Sequence, residues 1–567
     1  MHRNSIRVWG LAAALAVCGI QVSTSAQAPV GGNQPSTQTA PIRRLTVDEV
    51  VQLAVQNNLG IQVARINPQL EDLNVALARA NWIPSFNTTV QQSNTDTPNS
   101  GFLSGAGGAT KTTDGRMAST VGLAQTLPWG GNYTVGWDSS RRTTNSFLTS
   151  LSPQLQSSLS LQYQQPLLRG FGIDAIRQQL LVSYKNRDIA DIQLRQSVAT
   201  TTRTVRNAYW DLAYAIAFLQ VQQQTLDLAN ESLRNTRARV EIGTTPPIDI
   251  VEAEAEVAQR EEAVIVAQTQ IETAQDTLRA LVFDPQTPNF WTQRIEPTDL
   301  PTFQPTVIDV DGAVRNALDR RTDLQQSKRS LEATDVNIKY LHNQTLPDVT
   351  AQVNYGLTGL GGTPKATTPI LPGDTSGTIL ARGFGSVLND LFANAFPNWT
   401  AALTIRYPLG TSPQEASLAR ARLQYSQTQT QIRNQQLQAV TQVRQAARSA
   451  QTNRKRVDTT RVSRELAERR LDAEQRKFAA GTSTNFLVFQ AQRDLAQARN
   501  NELRAILDYQ QSVVDFETVQ QVPLSGASTT PTGGASTTGT STTGATTGST
   551  TGSTTGTTTS ASSTTGR

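Results

Sequence analysis

The most regular hydrophobic pattern in the chain is an interval of seven residues that runs through its first half. It comprises Val198, Val205, Leu212, Leu219, Leu226, Leu233 and Val240, and neither Gly nor Pro interrupts the stretch Ala175 to Ile242. An interval of seven keeps a narrow apolar seam on one side of a helix and favours left-handed supercoiling against a neighbour. The spacing predicts one helix of roughly 100 Å, which is too long and too polar to be a membrane span.

The same interval returns after Gly243, which indicates a second long helix running back along the first. Its members are Ile250, Val257, Val264, Ile271 and Leu278. Most other positions in the two segments are Gln, Arg, Asn, Thr, Glu and Ala, so much of each helix surface must face water. The pattern predicts an antiparallel hairpin of long helices rather than the core of a compact globule.

Segments with a period of two precede this hairpin and predict β-strands. Phe86, Thr88 and Val90 alternate with polar residues, as do residues 121–127, 133–137 and 159–163. In the second half of the chain, residues 349–355 and 401–407 alternate in the same way. Paired strands of about nine to eleven residues, built around these runs, would fit a tilted crossing of an outer membrane.

The two halves of the chain repeat one order of elements: helix, paired strands and long helical hairpin. Ala54 and Ala317, like Pro84 and Pro347, lie 263 residues apart, whereas Pro166 and Pro408 lie 242 apart. The first copy therefore carries 21 more residues between its two prolines, which matches an added hairpin at Thr120 to Asp138. The expected fold class is a duplicated α+β membrane protein with about four strands per subunit, or six if that hairpin joins the sheet.

So few strands cannot close a barrel, since about eight are needed merely to enclose side chains. An open sheet edge in lipid would leave backbone groups unpaired at several kcal/mol each. Several subunits must therefore share one barrel. The narrow-seamed helices likewise need neighbours on both sides and water on their polar flanks, so a ring of hairpins would enclose an aqueous bore.

The pattern divides the chain into six predicted segments. They are a signal peptide (1–26), a flexible leader (27–44), a first repeat (45–283, strands about 85–165, hairpin 175–282), a Pro-rich connector (284–305), a second repeat (306–522, strands about 348–407, hairpin 413–520) and a disordered Ser/Thr/Gly-rich tail (523–567). The signal assignment rests on Arg3 and Arg7 before an apolar run that is too short to span a membrane. Cys18 falls within it; whether it is lipidated is left open, with removal alongside the signal preferred.

Composition excludes several function classes. Only 37% of the residues are hydrophobic, and 50 basic residues are balanced by 45 acidic ones, with no basic stripe of the kind that binds nucleic acid. His342 is the sole histidine after the signal, so a histidine-based metal site or catalytic triad is not expected. No phosphate-binding loop is present, and we expect no enzyme activity and no cofactor.

Several motifs resemble those of TolC-type outer-membrane efflux proteins over roughly Leu45 to Val522. They are the duplicated element order, the Ala317-Leu318 to Leu324 helix opening, the strand ends Gln165-Pro166-Leu167 and Tyr407-Pro408-Leu409, and the turn Phe478-Ala479-Ala480-Gly481-Thr482. The resemblance implies a homotrimer with a twelve-stranded barrel in the outer membrane of a Gram-negative-type cell and a helical barrel in the periplasm. It also implies partners: a periplasmic adaptor (membrane fusion) protein, an inner-membrane efflux pump or ABC-type transporter, and outer-membrane lipid.

The resemblance further places the periplasmic tips at the helical turns. Gly243, Thr244, Gly481 and Thr482 would lie at the tips and dock the adaptor. The family often carries two acidic residues after the second glycine, where this chain has Leu487 and Gln490. Asp249 and Glu252 occupy the equivalent places in the first copy and are the candidate periplasmic gate; the alternative is that they only stabilise a helix N-terminus.

The expected function is an outer-membrane exit duct that passively conducts substrates of a tripartite efflux or type I secretion system. The alternative is a secreted trimeric coiled-coil adhesin or structural stalk, which would be soluble without detergent and would not conduct ions. The sequence does not identify the transported substrate or the inner-membrane transporter.

Overall fold

The structure is a computed structural model that describes residues 42–99, 110–146, 149–286, 290–299, 303–365, 380–410 and 412–524. The predicted signal peptide, Cys18, most of the leader and nearly all of the Ser/Thr/Gly-rich tail lie outside the described residues.

Nine helices are present in the described part of the chain. They are α1 (Val47–Asn57), α2 (Leu59–Ala80), α3 (Ala175–Glu241), α4 (Ile248–Val282), α5 (Val310–Arg320), α6 (Thr322–Gln344), α7 (Phe384–Phe392), α8 (Pro413–Ala479) and α9 (Asn485–Val519). Both copies therefore have a long helical pair after the strands and two shorter helices before them, where the repeat predicts a single helix. Among these helices, none has the length and apolar content needed to cross a membrane.

Eight strands form two sheets within the described residues. They are β1 (Ile42–Leu45), β2 (Ser85–Pro98), β3 (Lys111–Thr126), β4 (Asn132–Thr144), β5 (Leu151–Pro166), β6 (Arg294–Pro297), β7 (Asp348–Pro364) and β8 (Pro397–Arg406). The large sheet has the order β2-β3-β4-β5-β7-β8, and all of its pairings are antiparallel. The count of about four strands per subunit is too low, because the β3–β4 hairpin joins the sheet and gives six.

The long helices pack as two antiparallel hairpins, α3–α4 and α8–α9. Asp174 caps α3 by accepting a hydrogen bond from the Arg177 backbone amide at 2.7 Å, and Ser412 caps α8 in the same way. The predicted seam is largely correct: Val205, Leu212 and Leu233 of α3 are buried, as are the α4 residues Val257, Ile271 and Leu278. Together α3 and α4 extend from Ala175 to Val282.

Arg464 occupies a seam position between α8 and α9, where an apolar residue would be expected. Its guanidinium contacts the carboxylates of Glu468 at 2.9 Å and Glu502 at 2.6 Å. Arg499 approaches Glu468 from the facing helix at 3.3 Å. A partly buried charge is tolerated when it is paired and hydrogen-bonded, so the seam continues through this polar layer.

A small parallel sheet joins the two copies beside the long helices. β1 pairs with β6, with Ile42 opposite Arg294 and Leu45 opposite Pro297. The expected flexible leader therefore does not include residues 42–44, and the Pro-rich connector contains a strand. Ile295 is buried in the same apolar cluster as Tyr209, so both short strands are fixed by packing against α3.

The hydroxyl of Tyr209 ties this junction together. It donates to the carbonyl oxygen of Leu45 at 3.1 Å and accepts from the backbone amide of Asp299 at 3.1 Å. The side chain is fully buried. Burial, as the main cause, raises the pKa of Tyr209 to about 12, because the phenolate would lose its hydration.

We expect Tyr209→Phe to lower the free energy of unfolding by about 1–2 kcal/mol, because buried groups at Leu45 and Asp299 lose a partner. The raised pKa means that the protonated phenol stabilises the fold fully below pH 10 and that this contribution is lost as the pH rises through about 12. Thermal unfolding in detergent at neutral pH and at about pH 11 measures both the loss of stability and its dependence on pH. A midpoint difference between wild type and Tyr209→Phe that does not shrink at the higher pH would contradict the assignment.

Candidate functional site

The six-stranded sheet has one apolar and one polar face. Successive strands place on the apolar face, at one level, the aligned residues Phe86, Leu123, Val135, Leu161, Tyr355 and Trp399. At the adjacent level, which is offset by one residue on every strand, the opposite face carries Asn87, Gly122, Gly136, Ser160, Gly356 and Asn398. Because side chains alternate across a strand, the whole sheet can contact lipid on one side and water on the other.

Helix α7 covers part of the apolar face at the end of the sheet far from the long helices. A Cβ atom on Gly359 would collide with the backbone carbonyl of Val387, and one on Gly361 would collide with the Val387 side chain and the carbonyl oxygen of Arg382. The hydroxyl of Tyr355, also on the apolar face, donates to the side chain of Asn394 at 2.9 Å. Glycine at these positions allows the helix to pack against the sheet.

Both edges of the sheet lack a neighbour within the described chain. All ten residues of β8 are exposed, and β2 is exposed at all but one of its positions. The exposed apolar residues include Phe86, Val90, Trp399, Leu403 and Ile405. A long edge with apolar side chains is a template for pairing with another chain, so the sheet is complete only in an assembly.

The two helical hairpins have the same turn geometry at their tips. Gly243 has φ +79° and Gly481 has φ +74°, both in the left-handed region that favours glycine. Thr244 closes the first turn, since its amide and hydroxyl donate to the Arg239 carbonyl at 2.9 and 3.0 Å. Thr482 bonds the Lys477 carbonyl in the same way, at 2.9 and 3.1 Å.

Side chains from the two hairpins meet immediately behind these turns. The guanidinium of Arg239 lies 4.3 Å from the centroid of the Phe478 ring, a cation–π contact. The amide nitrogen of Asn485 donates to the hydroxyl of Thr236 at 3.2 Å. Phe489 of α9 is buried in a cluster with residues of α3 and α4, namely Ala229, Leu233, Ala253 and Val257. The tips therefore form one packed unit within the chain.

The candidate gate residues lie at the start of α4, next to this cluster. Asp249 is half-buried and Glu252, one helical turn further on, is exposed. Neither forms an ion pair with a basic side chain in the part of the chain that the structure describes. Ala253, directly after Glu252, is buried, so the two carboxylates flank the seam rather than enter it.

The acidic run after Asp249 is not uniformly solvated. Glu254 forms an exposed pair with Arg237 at 2.7 Å. Glu256, however, is buried, and its carboxylate lies 2.6 Å from Arg260 and 3.5 Å from Arg493 of α9. The periodic pattern alone could not reveal this, because Arg493 comes from the other hairpin.

Sequence reasoning also missed Arg239, Phe478, Asn485 and Phe489 as contacts between the hairpins. The only signal was positional: Arg239 and Phe478 each precede a turn glycine by one helical turn or less. Among the described residues, no cluster of His, Cys, Asp and Glu is arranged to hold a metal ion.

Comparison with known proteins identifies the family. The profile described as outer membrane efflux protein matches residues 131–282 and 313–519, more than half of the chain. The chain belongs to the outer membrane efflux protein family. It is accordingly an outer-membrane channel and not an enzyme, and the secreted-stalk alternative is set aside.

Solved structures agree on the fold. The Campylobacter jejuni CmeC outer membrane channel is 13% identical over 84% of this chain and 85% of its own, with a TM-score of 0.58. The Neisseria gonorrhoeae MtrE channel, in its open state, is 16% identical over 84% and 89%, with a TM-score of 0.55. The Vibrio cholerae outer membrane protein VceC is 17% identical over 84% and 96%, with a TM-score of 0.55. No curated protein sequence matches at a significant level.

The family and fold explain why a single chain is incomplete. Outer membrane efflux proteins are homotrimers in which a β-barrel is continued by a helical barrel, and they work with periplasmic adaptors and inner-membrane pumps.

Proposed function

We propose that this efflux family member is the exit duct of a tripartite system and that the paired helical tips are its docking and gating end. The observation that carries the proposal is the six-stranded sheet, apolar on one face, polar on the other and unpaired at both edges, joined directly to long water-exposed hairpins. Such a sheet satisfies its backbone in lipid only around a closed ring. Service in a type I secretion system remains a prediction.

Exposed apolar side chains at the turns support docking there. Ile242, Ile248 and Val251 beside the first turn are 76%, 61% and 58% exposed, and Phe486 beside the second is 55% exposed. Apolar residues clustered on an otherwise polar surface are typical of a contact site for another protein. Gly243, Thr244, Gly481 and Thr482 shape these turns and would present that surface to the periplasmic adaptor.

Site-specific crosslinking tests the docking position. Because Cys18 is the only cysteine in the sequence, Thr244→Cys and Thr482→Cys can be labelled selectively with a photoactivated crosslinker. We expect both variants to capture the adaptor in intact cells. Gln220→Cys, at an exposed position in the middle of α3, is the matched control and should not. Equal capture from the control, or none from either tip, would argue against docking at the turns.

We further propose that Asp249 and Glu252 make the periplasmic end selective for cations. Three copies would bring six unpaired carboxylates to one constriction, and like charges lining a low-dielectric cleft concentrate counter-ions. The equivalent positions of the second copy hold Leu487 and Gln490, which carry no charge, so the acidic residues at this level come from the first copy.

Neutralising both groups in Asp249→Asn/Glu252→Gln should abolish most of the cation preference, seen as a reversal potential that moves toward zero in a salt gradient across a planar bilayer. The matched control is Glu261→Gln/Glu262→Gln, which removes two exposed charges further along α4. It should leave the reversal potential unchanged. A cation preference that survives in the first variant would restrict Asp249 and Glu252 to stabilising the start of α4.

A further inference from the structure

The β3–β4 hairpin has no counterpart in the second copy of the repeat. The second copy contributes β7 and β8 to the large sheet, whereas the first contributes β2, β3, β4 and β5. The chain therefore supplies six strands, where a twelve-stranded trimer would need four.

This hairpin is built as part of the wall rather than as a surface addition. β3 pairs with β2 along the whole of Ser85–Pro98 and with β4 from Asp114 to Thr126. Its residues Leu123 and Val135 lie between Phe86 and Leu161 on the apolar face. Its turn, residues 127–131, is tight, with the Leu127 amide donating to the Gly131 carbonyl at 2.7 Å. Both strands thus have the length and alternation that a lipid-facing wall requires.

The two free edges fit each other in direction. β2 leaves α2 and runs away from the helices, and β8 returns toward the helices before α8. β2 of one subunit beside β8 of the next would therefore continue the antiparallel order around a ring. The residues that would oppose pairing lie only toward the strand ends: Asp96 and Pro98 in β2, and Pro397 and Arg406 in β8.

We infer that three copies close an eighteen-stranded barrel, wider than a twelve-stranded one, through β2–β8 pairing between subunits. This inference rests on the proposed exit-duct function. With strands about 4.8 Å apart and tilted by about 40°, eighteen strands give a backbone diameter of about 36 Å, against about 24 Å for twelve. Subtracting the lining side chains leaves a bore of roughly 25 Å.

At the level of Asn87 the lining of that bore is small and uncharged, with Gly122, Gly136, Ser160 and Gly356 side by side on the polar face. At other levels the same face carries longer side chains, among them Arg116, Arg142 and Gln162. The barrel would then pass bulky hydrophilic solutes, including folded peptides up to about 20 Å across. The helical tips, rather than the barrel, would then limit the size of the solutes that pass.

Counting strands in single-particle images of the detergent-extracted trimer tests the inference directly. We expect eighteen strands for the full chain. A variant lacking residues 111–144 should have twelve strands and a backbone diameter smaller by about a third. In that variant β2 would pair with β5, with Phe86 opposite Leu161. The two strands would still be antiparallel, and their apolar side chains would still lie on one face of the sheet. A full-length trimer with a twelve-stranded wall would overturn the inference but leave the exit-duct function intact.

A cysteine pair in the full chain keeps the test decisive if the shortened variant does not assemble. On β4, Thr134 faces the polar side and Val135 the apolar side. In proteoliposomes Thr134→Cys should react with a water-soluble maleimide at least about ten times faster than Val135→Cys, since lipid shields the second site. The same contrast is expected for Thr120→Cys against Val121→Cys on β3. Equal rates within each pair would place the hairpin outside the wall.

Discussion

Replacing Leu161 with arginine is expected to cost about 2–4 kcal/mol per subunit, the largest effect of any single substitution in the sheet. Leu161 lies on the apolar face of β5, between Val135 and Tyr355 on the neighbouring strands. An arginine there would have to place its guanidinium on the face of the sheet that contacts lipid. Urea titration of protein refolded into lipid vesicles measures the loss of stability.

Gln162→Arg is the matched control, because Gln162 is the next residue on β5 and faces the polar side between Thr134 and Asn354. An arginine at that position would extend into the aqueous bore, and we expect a change below about 0.5 kcal/mol. Comparable losses for the two variants would mean that the faces of the sheet are assigned wrongly.

The second large effect is expected at the tips, where Phe489→Ala should cost about 3–5 kcal/mol. The Phe489 ring is 3% exposed and fills the space between α9 and the first hairpin, against Leu233 and Val257. Its loss would leave a cavity where the two hairpins join. Hydrogen exchange should show faster opening of the first turns of α4 and α9, with the sheet unaffected.

Phe486→Ala provides the comparison, because Phe486 is on the same helical turn but is 55% exposed. We expect this variant to keep the exchange rates of wild type and to weaken only adaptor capture. If Phe486→Ala loosened the tips as much as Phe489→Ala, the buried contact could not be what joins the hairpins.

The long helices could be predicted from the sequence because their stabilising contacts are periodic. The seven-residue interval gave α3 to within one residue and identified Val205, Leu212 and Val257 as buried. The strands were also predictable, because a sheet between lipid and water requires strict alternation. Glycine at 243 and 481 marked both turns, since few other residues adopt a left-handed backbone readily.

Contacts between segments that are far apart in the sequence leave no periodic pattern, so they could not be predicted. β1 pairs with β6 although they lie about 250 residues apart, and neither four-residue segment is long enough to show a period. Glu256 stands among other acidic residues in the sequence, and nothing in that run indicates that Arg493 of the other hairpin lies beside it. The number of strands in the large sheet likewise depends on a distant contact, because β3 must pair with β2 and β4 with β5. Composition and residue spacing do not show whether those pairings form.

One chain is an incomplete segment of a water-filled ring, and single-channel recording of the purified protein in a planar lipid bilayer shows whether that ring forms. A trimeric preparation should give stepwise, ohmic conductance, with every step lost when the trimer is dissociated before reconstitution. A protein that stays monomeric in detergent and leaves the bilayer electrically silent would show that no such ring exists.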